Sequence, residues 1–208
     1  MIPIGVFSLI AVSVFLYRLM GLRTSVVVPD ALWKEVCRHL RTGDSESAVQ
    51  ASLKACADYQ SPLAKVLETG LRRNVSSREQ MKEAFEERGR FEVSAMAKGV
   101  EFLGTIAAVT PLIGLLGTVV GMIDVFRTVV AEVGQTAGAV NPGSLAGGIW
   151  AALLTTAAGL SVAIPTYLGY RYLQAEVDRL AIDMEKACVE VLDSRFDDHC
   201  SDDDRISE

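Results

Sequence analysis

The sequence predicts an all-α, three-span integral membrane protein whose long helices extend into a cytoplasmic helical domain. Three observations carry that prediction. One uncharged run extends from Val133 to Tyr170, a second from Phe102 to Ile123, and the first residues stay uncharged and apolar up to Tyr17. A hydrocarbon core of about 30 Å takes roughly 20 apolar helical residues, and strands are much shorter than either long run. Half of the 208 residues are hydrophobic, yet 22% are charged. The charge must therefore be segregated along the chain.

Its distribution sets an orientation. From Arg18 to Glu101 there are 14 Lys/Arg and 12 Asp/Glu, and from Arg171 onward 5 basic and 12 acidic residues. Basic flanks of membrane spans mark the cytoplasmic side. Residues 18–101 and the C-terminus are accordingly expected inside, and the short loop after Asp124 outside. Residues 1–22 then form the first span, with a periplasmic N-terminus and Arg18 and Arg23 at its inner flank. A signal peptide would carry a basic start and a small-residue cleavage site, and neither is evident. The first run is short for a span, which puts Met1 close to the outer interface or the natural start upstream.

Residues 23–76 read as a cytoplasmic bundle of short helices. Pro29 and Asp30 open ALWKEVCRHLR, Gly43 and Asp44 end it, SESAVQASLKACA stops before Ser61 and Pro62, and LAKVLETGLRR stops around Asn74. Ser76 or Ser77, followed by Glu79 and Gln80, is a capping-box start for a long helix over 77–131 containing the second span at about 102–123. Its soluble part sets Glu86 and Arg90 as an attractive pair and Glu83 and Glu87 as a repulsive one. A periplasmic loop is expected over 132–143 and a third long helix over 144–196, its span at about 147–170. Beyond that span Val177, Leu180, Met184, Ala187 and Val191 form one packing stripe. The acidic residues 197–208 lack apolar side chains and are expected to be disordered.

Both later spans carry small residues at helical spacing. Thr110, Gly114, Gly117, Thr118 and Gly121 share one face of the second, and Ala152, Thr156, Gly159 and Ala163 one face of the third. Such faces let helix backbones approach closely, so Gly114, Gly117, Gly121 and Gly159 are read as packing sites. A threonine hydroxyl both donates and accepts, the property a water-assisted proton path needs. Thr118 and Thr156 are the leading candidates for a hydrophilic path, with Thr110 and Thr155 behind them. Pro111 and Pro165 each remove a backbone hydrogen bond and mark candidate kinks. Trp150 suits the outer interface.

No ionisable residue lies inside either later span, and Asp124 stands at the outer end of the second. Intramembrane charges usually mark function. If protons cross, this chain supplies walls and another chain supplies the titrating carboxylate. GLLGTVVG is glycine-rich but lacks the following lysine of a phosphate-binding loop. The cysteines (Cys37, Cys56, Cys188 and Cys200) and the histidines (His39 and His199) show no metal-ligand spacing. No enzyme, metal, cofactor or nucleic-acid partner is expected.

LGTIAAVTPLIGLLGTVVGMIDVF and LAGGIWAALLTTAAGLSVAIPTYLGY resemble the second and third spans of the ExbB/TolQ branch of the MotA/TolQ/ExbB proton-channel family. The order of elements resembles that branch too. The resemblance implies a bacterial inner-membrane subunit that forms a homo-oligomeric ring, a pentamer. The ring would enclose single-span ExbD/TolR-like helices whose membrane aspartate carries the proton. Proton-motive force would then drive an envelope or outer-membrane system, with a TonB/TolA-like protein as a further partner and membrane lipids around the ring. Thr118 matches the family's pore-facing threonine of the second span and Thr156 that of the third. Many relatives have a glutamate where this chain has Ala151, so Ala151 is read as a functional position lacking its acid. The segment that many relatives carry before the first span has no counterpart here. Two alternatives stand beside this reading. One is a non-conducting membrane scaffold, which Ala151 favours. The other is a MotA-like flagellar stator, against which the count of three spans argues.

Overall fold

A computed structural model of the chain describes residues 2–42, 45–72, 77–135 and 142–196. All regular elements among them are helices: α1 (Ile2–Gly21), α2 (Thr24–Val27), α3 (Asp30–Thr42), α4 (Ser45–Asp58), α5 (Pro62–Arg72), α6 (Arg78–Gln135) and α7 (Pro142–Phe196). Three of them, α1, α6 and α7, are long and apolar enough to cross a membrane. The protein is an all-α membrane protein built on two very long helices. At 1.5 Å per residue, 58 and 55 residues amount to roughly 80–90 Å of helical path, more than the membrane's apolar thickness takes up. The acidic tail, with Cys200 and His199, lies outside the described residues, as do Gly43, Asp44, Asn74, Ser76 and residues 136–141 between α6 and α7.

Local chemistry explains where the long helices begin. At the start of α6 the Ser77 hydroxyl accepts from the Glu79 backbone N–H at 3.3 Å and donates to the Glu79 carboxylate. The cap thus closes on Glu79, one position earlier than the usual capping box places its acid. That hydrogen bond holds the Glu79 carboxyl below its ordinary pKa. Helix α7 begins at Pro142, two residues before the expected start at Ser144. Proline suits a first helical position, where its fixed φ fits and its missing N–H would go unused. At its other end α6 runs to Gln135, four residues past the expected 131. Pro111 and Pro165 lie inside unbroken helices. Each removes the helical donor to the carbonyl four residues earlier, Ala107 and Ser161 respectively. The short α2 was not foreseen; its four residues carry no amphipathic repeat that a pattern could register.

The described residues form two compact units. The membrane unit combines residues within 1–18 and 99–172, and the polar unit residues within 19–98 and 173–196. In the polar unit the core gathers Leu32 and Val36 of α3, Leu63, Val66 and Leu67 of α5, Met81 and Phe85 of α6, and Leu180 and Val191 of α7, each at most 3% exposed. The whole stripe from Val177 to Val191 is buried. Glu92 is buried too, held by Arg88 at 2.6 Å and Lys65 at 3.8 Å, while Arg90 meets Glu86 at 3.5 Å on the exposed side. Arg78 pairs with Asp193, tying the start of α6 to the end of α7.

One glycine is fixed by this core. A Cβ on Gly70 would fall 2.2 Å from Phe85 Cε1, so α5 and α6 meet there without room for a methyl group. Gly70→Ala should destabilise the protein by about 1–3 kcal/mol through overpacking, read as a lower melting temperature in detergent. Adding Phe85→Leu should recover part of the loss; strict additivity of the two substitutions would contradict the contact.

The thiols of this unit are structural. Burial pushes Cys56 and Cys188 up to about 12 and raises Cys37 as well. Only the thiolate is nucleophilic, so a maleimide at pH 7.5 should leave the folded protein's Cys56 and Cys188 unlabelled and react fully after denaturation in dodecyl sulfate. Prompt labelling of either in the folded state would contradict the packing.

Candidate functional site

In the membrane unit, α6 and α7 meet along the two small-residue faces. The closest approach pairs Gly114 with Gly159. A Cβ on Gly159 would lie 3.1 Å from Gly114 Cα and 3.1 Å from the Thr110 carbonyl oxygen. One on Gly114 would lie 3.0 Å from the Thr155 carbonyl oxygen and 3.1 Å from Thr156 Cα. Backbone therefore touches backbone, and even a methyl group here would need the facing helix to give by a few tenths of an ångström. One helical turn further along α6, a Cβ on Gly117 would come within 2.6 Å of Thr155 Oγ1, and one on Gly121 within 2.9 Å of the Ala152 Cβ. The four glycines singled out in the sequence thus lie in a single seam.

Hydroxyls cross that seam. Thr156 Oγ1 donates to the Gly114 carbonyl at 3.1 Å. Thr155 Oγ1 lies 3.1 Å from the same oxygen and 2.7 Å from the Ala152 carbonyl, so its one proton can serve either. Glycine at 114 makes this possible, because the missing side chain exposes the carbonyl to the neighbouring helix. Thr110 is fully enclosed and donates to the Ile106 carbonyl at 2.7 Å within its own helix. Thr118 is half-buried on the flank of the seam and donates to the Leu115 carbonyl at 2.7 Å. The structure brings Thr155, Thr156, Gly114 and Gly159 together, whereas the Thr118 hydroxyl stays within its own helix.

An open cleft of about 340 Å³ runs along this end of the seam, between α6 and α7. Gly117, Gly121, Asp124, Thr128, Ala151 and Thr155 line it. Ala151 is exposed there, beside the Thr155 hydroxyl that leads into the seam. Asp124 is two-thirds exposed and reaches Arg127 at 3.7 Å. Sequence reasoning had noted Asp124 only as a boundary residue and had missed Thr128. Their signal was present: Gly117, Gly121, Asp124 and Thr128 follow the same 4, 7, 11 spacing as the small-residue stripe. Among the described residues no three His, Cys, Asp or Glu side chains converge as a metal site.

The membrane unit's own charges stand at its ends: Arg18 on α1, Glu101, Asp124, Arg127 and Glu132 on α6, and Arg171 on α7. Between 102 and 123, and between 142 and 170, no Asp, Glu, His, Lys or Arg is present. The seam can pass hydrogen bonds along hydroxyls and carbonyls but has no group of its own that alternates in charge.

Residues 58–186 match the MotA/TolQ/ExbB proton channel family. The chain belongs to that family. Three relatives place it in the ExbB/TolQ branch. It is 33% identical over 119 residues to the biopolymer transport protein ExbB of Aquifex aeolicus, covering 57% of this chain and 76% of the relative. It is 41% identical over 87 residues to the biopolymer transport protein exbB1 of Vibrio cholerae, covering 42% of this chain and 36% of that one. The Tol-Pal system protein TolQ of Haemophilus influenzae is 37% identical over 92 residues, 44% of this chain and 38% of its own length. The chain spans less than half the length of several curated relatives it matches. The matched region takes in the α6/α7 seam and the cleft beside it.

Proposed function

We propose that this protein is the ring-forming subunit of an inner-membrane proton channel that couples proton-motive force to work on an envelope or outer-membrane system. Five copies would surround the single-span helices of an ExbD/TolR-like partner, with a TonB/TolA-like protein downstream. The observation that supports this best is the combination found in the seam: two cross-helix threonine hydroxyls on one carbonyl, and no Asp, Glu, His, Lys or Arg within either span. A wall of that kind can relay a proton only to a carboxylate brought by another chain. Exposed apolar side chains on both helices, among them Leu112, Leu116, Leu153 and Leu168, leave wide faces for neighbouring copies, the partner and lipid to cover.

In this reading Thr156 and Thr155 line the path with Thr118, while Thr110, enclosed between the helices, has a packing part. The N-terminus is periplasmic and the C-terminus cytoplasmic, as the basic flanks favour. Each proton crossing about 100 mV releases roughly 2.3 kcal/mol, so a few protons suffice for a mechanical step against a partner held in the ring. A second reading, a ring that holds its partner without conducting, is favoured by Ala151 alone: the cleft narrows to the seam beside a methyl group rather than an acid.

Native mass spectrometry of the complex, coexpressed with neighbouring gene products, tests the assembly. Five copies with one or two small single-span chains are expected. A monomer, or a ring that never takes up a partner, would remove the carrier of the proton and contradict the proposal.

A further inference from the structure

We infer that the membrane unit carries a seat for one anionic phospholipid, independently of any conducting role. One acyl chain would lie in a cleft between α1, α6 and α7, and the phosphate on the Arg18 guanidinium. The cleft has a volume of about 290 Å³ and is lined along α1 by Ala11, Val12 and Phe15, with Leu103 on α6 and Val162 on α7 opposite. Two of its three hydroxyls are engaged within α7: Ser161 donates to the Ala157 carbonyl at 2.8 Å and Thr166 to the Val162 carbonyl at 2.7 Å, and Ser8 on α1 is the third. From Ser8 to Phe15 it follows roughly 10 Å of α1, enough for the first half of an acyl chain.

A charge waits at one end. Arg18 is one turn beyond Phe15, and its guanidinium lies flat on α6 at Gly99, one turn from Leu103. A Cβ on Gly99 would fall between 1.7 and 2.1 Å from three guanidinium atoms. The absence of a side chain at 99 therefore lets the cation lie against the helix instead of extending into solvent. Among the described residues no carboxylate pairs with Arg18, and Glu101, two positions further along α6, is exposed and takes no part. Tyr17, Tyr167 and Tyr172 are more than half exposed at this same end of the unit, where aromatic rings favour headgroup depth. An unpaired guanidinium at that depth calls for an anion, and phosphate takes it with charge-assisted hydrogen bonds. An apolar slot below a cation at headgroup level fits an anionic phospholipid. A helix of another copy would fill the slot but leave the cation unpaired.

The test uses the full chain, delipidated in detergent and titrated with dioleoyl phosphatidylglycerol, with adducts per chain read by native mass spectrometry. Saturable binding of one lipid per chain is expected, about tenfold tighter than for dioleoyl phosphatidylcholine. Arg18→Gln should weaken it about tenfold. Val12→Trp, which fills the slot from its exposed rim, should weaken both lipids. Arg23→Gln, an exposed charge outside the cleft, should change nothing. Equal binding of the two lipids by the unaltered chain would overturn the inference without any variant. So would undiminished binding by Arg18→Gln, or an equal loss in Arg23→Gln.

Discussion

Gly159→Val is expected to prevent α6 and α7 from closing and to destabilise the membrane unit by about 3 kcal/mol or more. Two backbone atoms of α6, Gly114 Cα and the Thr110 carbonyl oxygen, stand 3.1 Å from where the first added carbon would go, and neither is the movable end of a flexible side chain. Overpacking of this kind is relieved only by separating the helices, which also breaks the hydroxyl contacts to Gly114 and forfeits dispersion along the seam. Gly147→Val is the control, because nothing lies within 4 Å of its added carbon. Melting of the detergent-solubilised protein, followed by size-exclusion chromatography, should separate the two variants clearly. Equal melting of Gly147→Val and Gly159→Val would show that the close approach is not what holds these helices.

Thr156→Val should lower partner-dependent proton flux about tenfold or more while the ring still assembles. The substitution keeps the shape and removes one hydroxyl. In packing terms it costs about 1 kcal/mol for the lost hydrogen bond to Gly114, too little to unfold the unit. In the path it deletes a group that both accepts and donates a proton, and each 1.4 kcal/mol added to a transfer barrier is about tenfold in rate. Thr156→Ser should retain most of the flux, since it keeps the hydroxyl that reaches the carbonyl. Flux unchanged in Thr156→Val, with assembly verified, would leave Thr156 as packing alone.

Much of this architecture was legible before any coordinates. The apolar runs set α1 and the spans of α6 and α7, and the spacing of Gly114, Gly117, Gly121 and Gly159 pointed to a seam whose backbone contacts the structure supplies. Periodicity reveals which face is small. It does not reveal which glycine meets which, nor that Thr155 and Thr156 both reach the Gly114 carbonyl, because that depends on the register between two helices. The cleft at Asp124 and Ala151 was half legible, since its residues continue the same spacing from Gly117. The contact of Arg18 with Gly99 was not legible at all. It joins residues 81 positions apart on helices with no shared pattern, and only packing in three dimensions sets the guanidinium on that glycine. Helix ends were the least determined: α7 starts at Pro142 because proline is accepted at a first turn, an option that competes evenly with a serine cap at 144.

The central claim is that this chain walls a proton path whose titrating group belongs to a partner. The most direct measurement is proton uptake by proteoliposomes holding the unaltered chain with its single-span neighbour, under an imposed potential of about 100 mV and read with an internal pH dye. The account predicts uptake above empty vesicles that needs both chains. Uptake by this chain alone, or none from a verified ring with its partner in place, would contradict it.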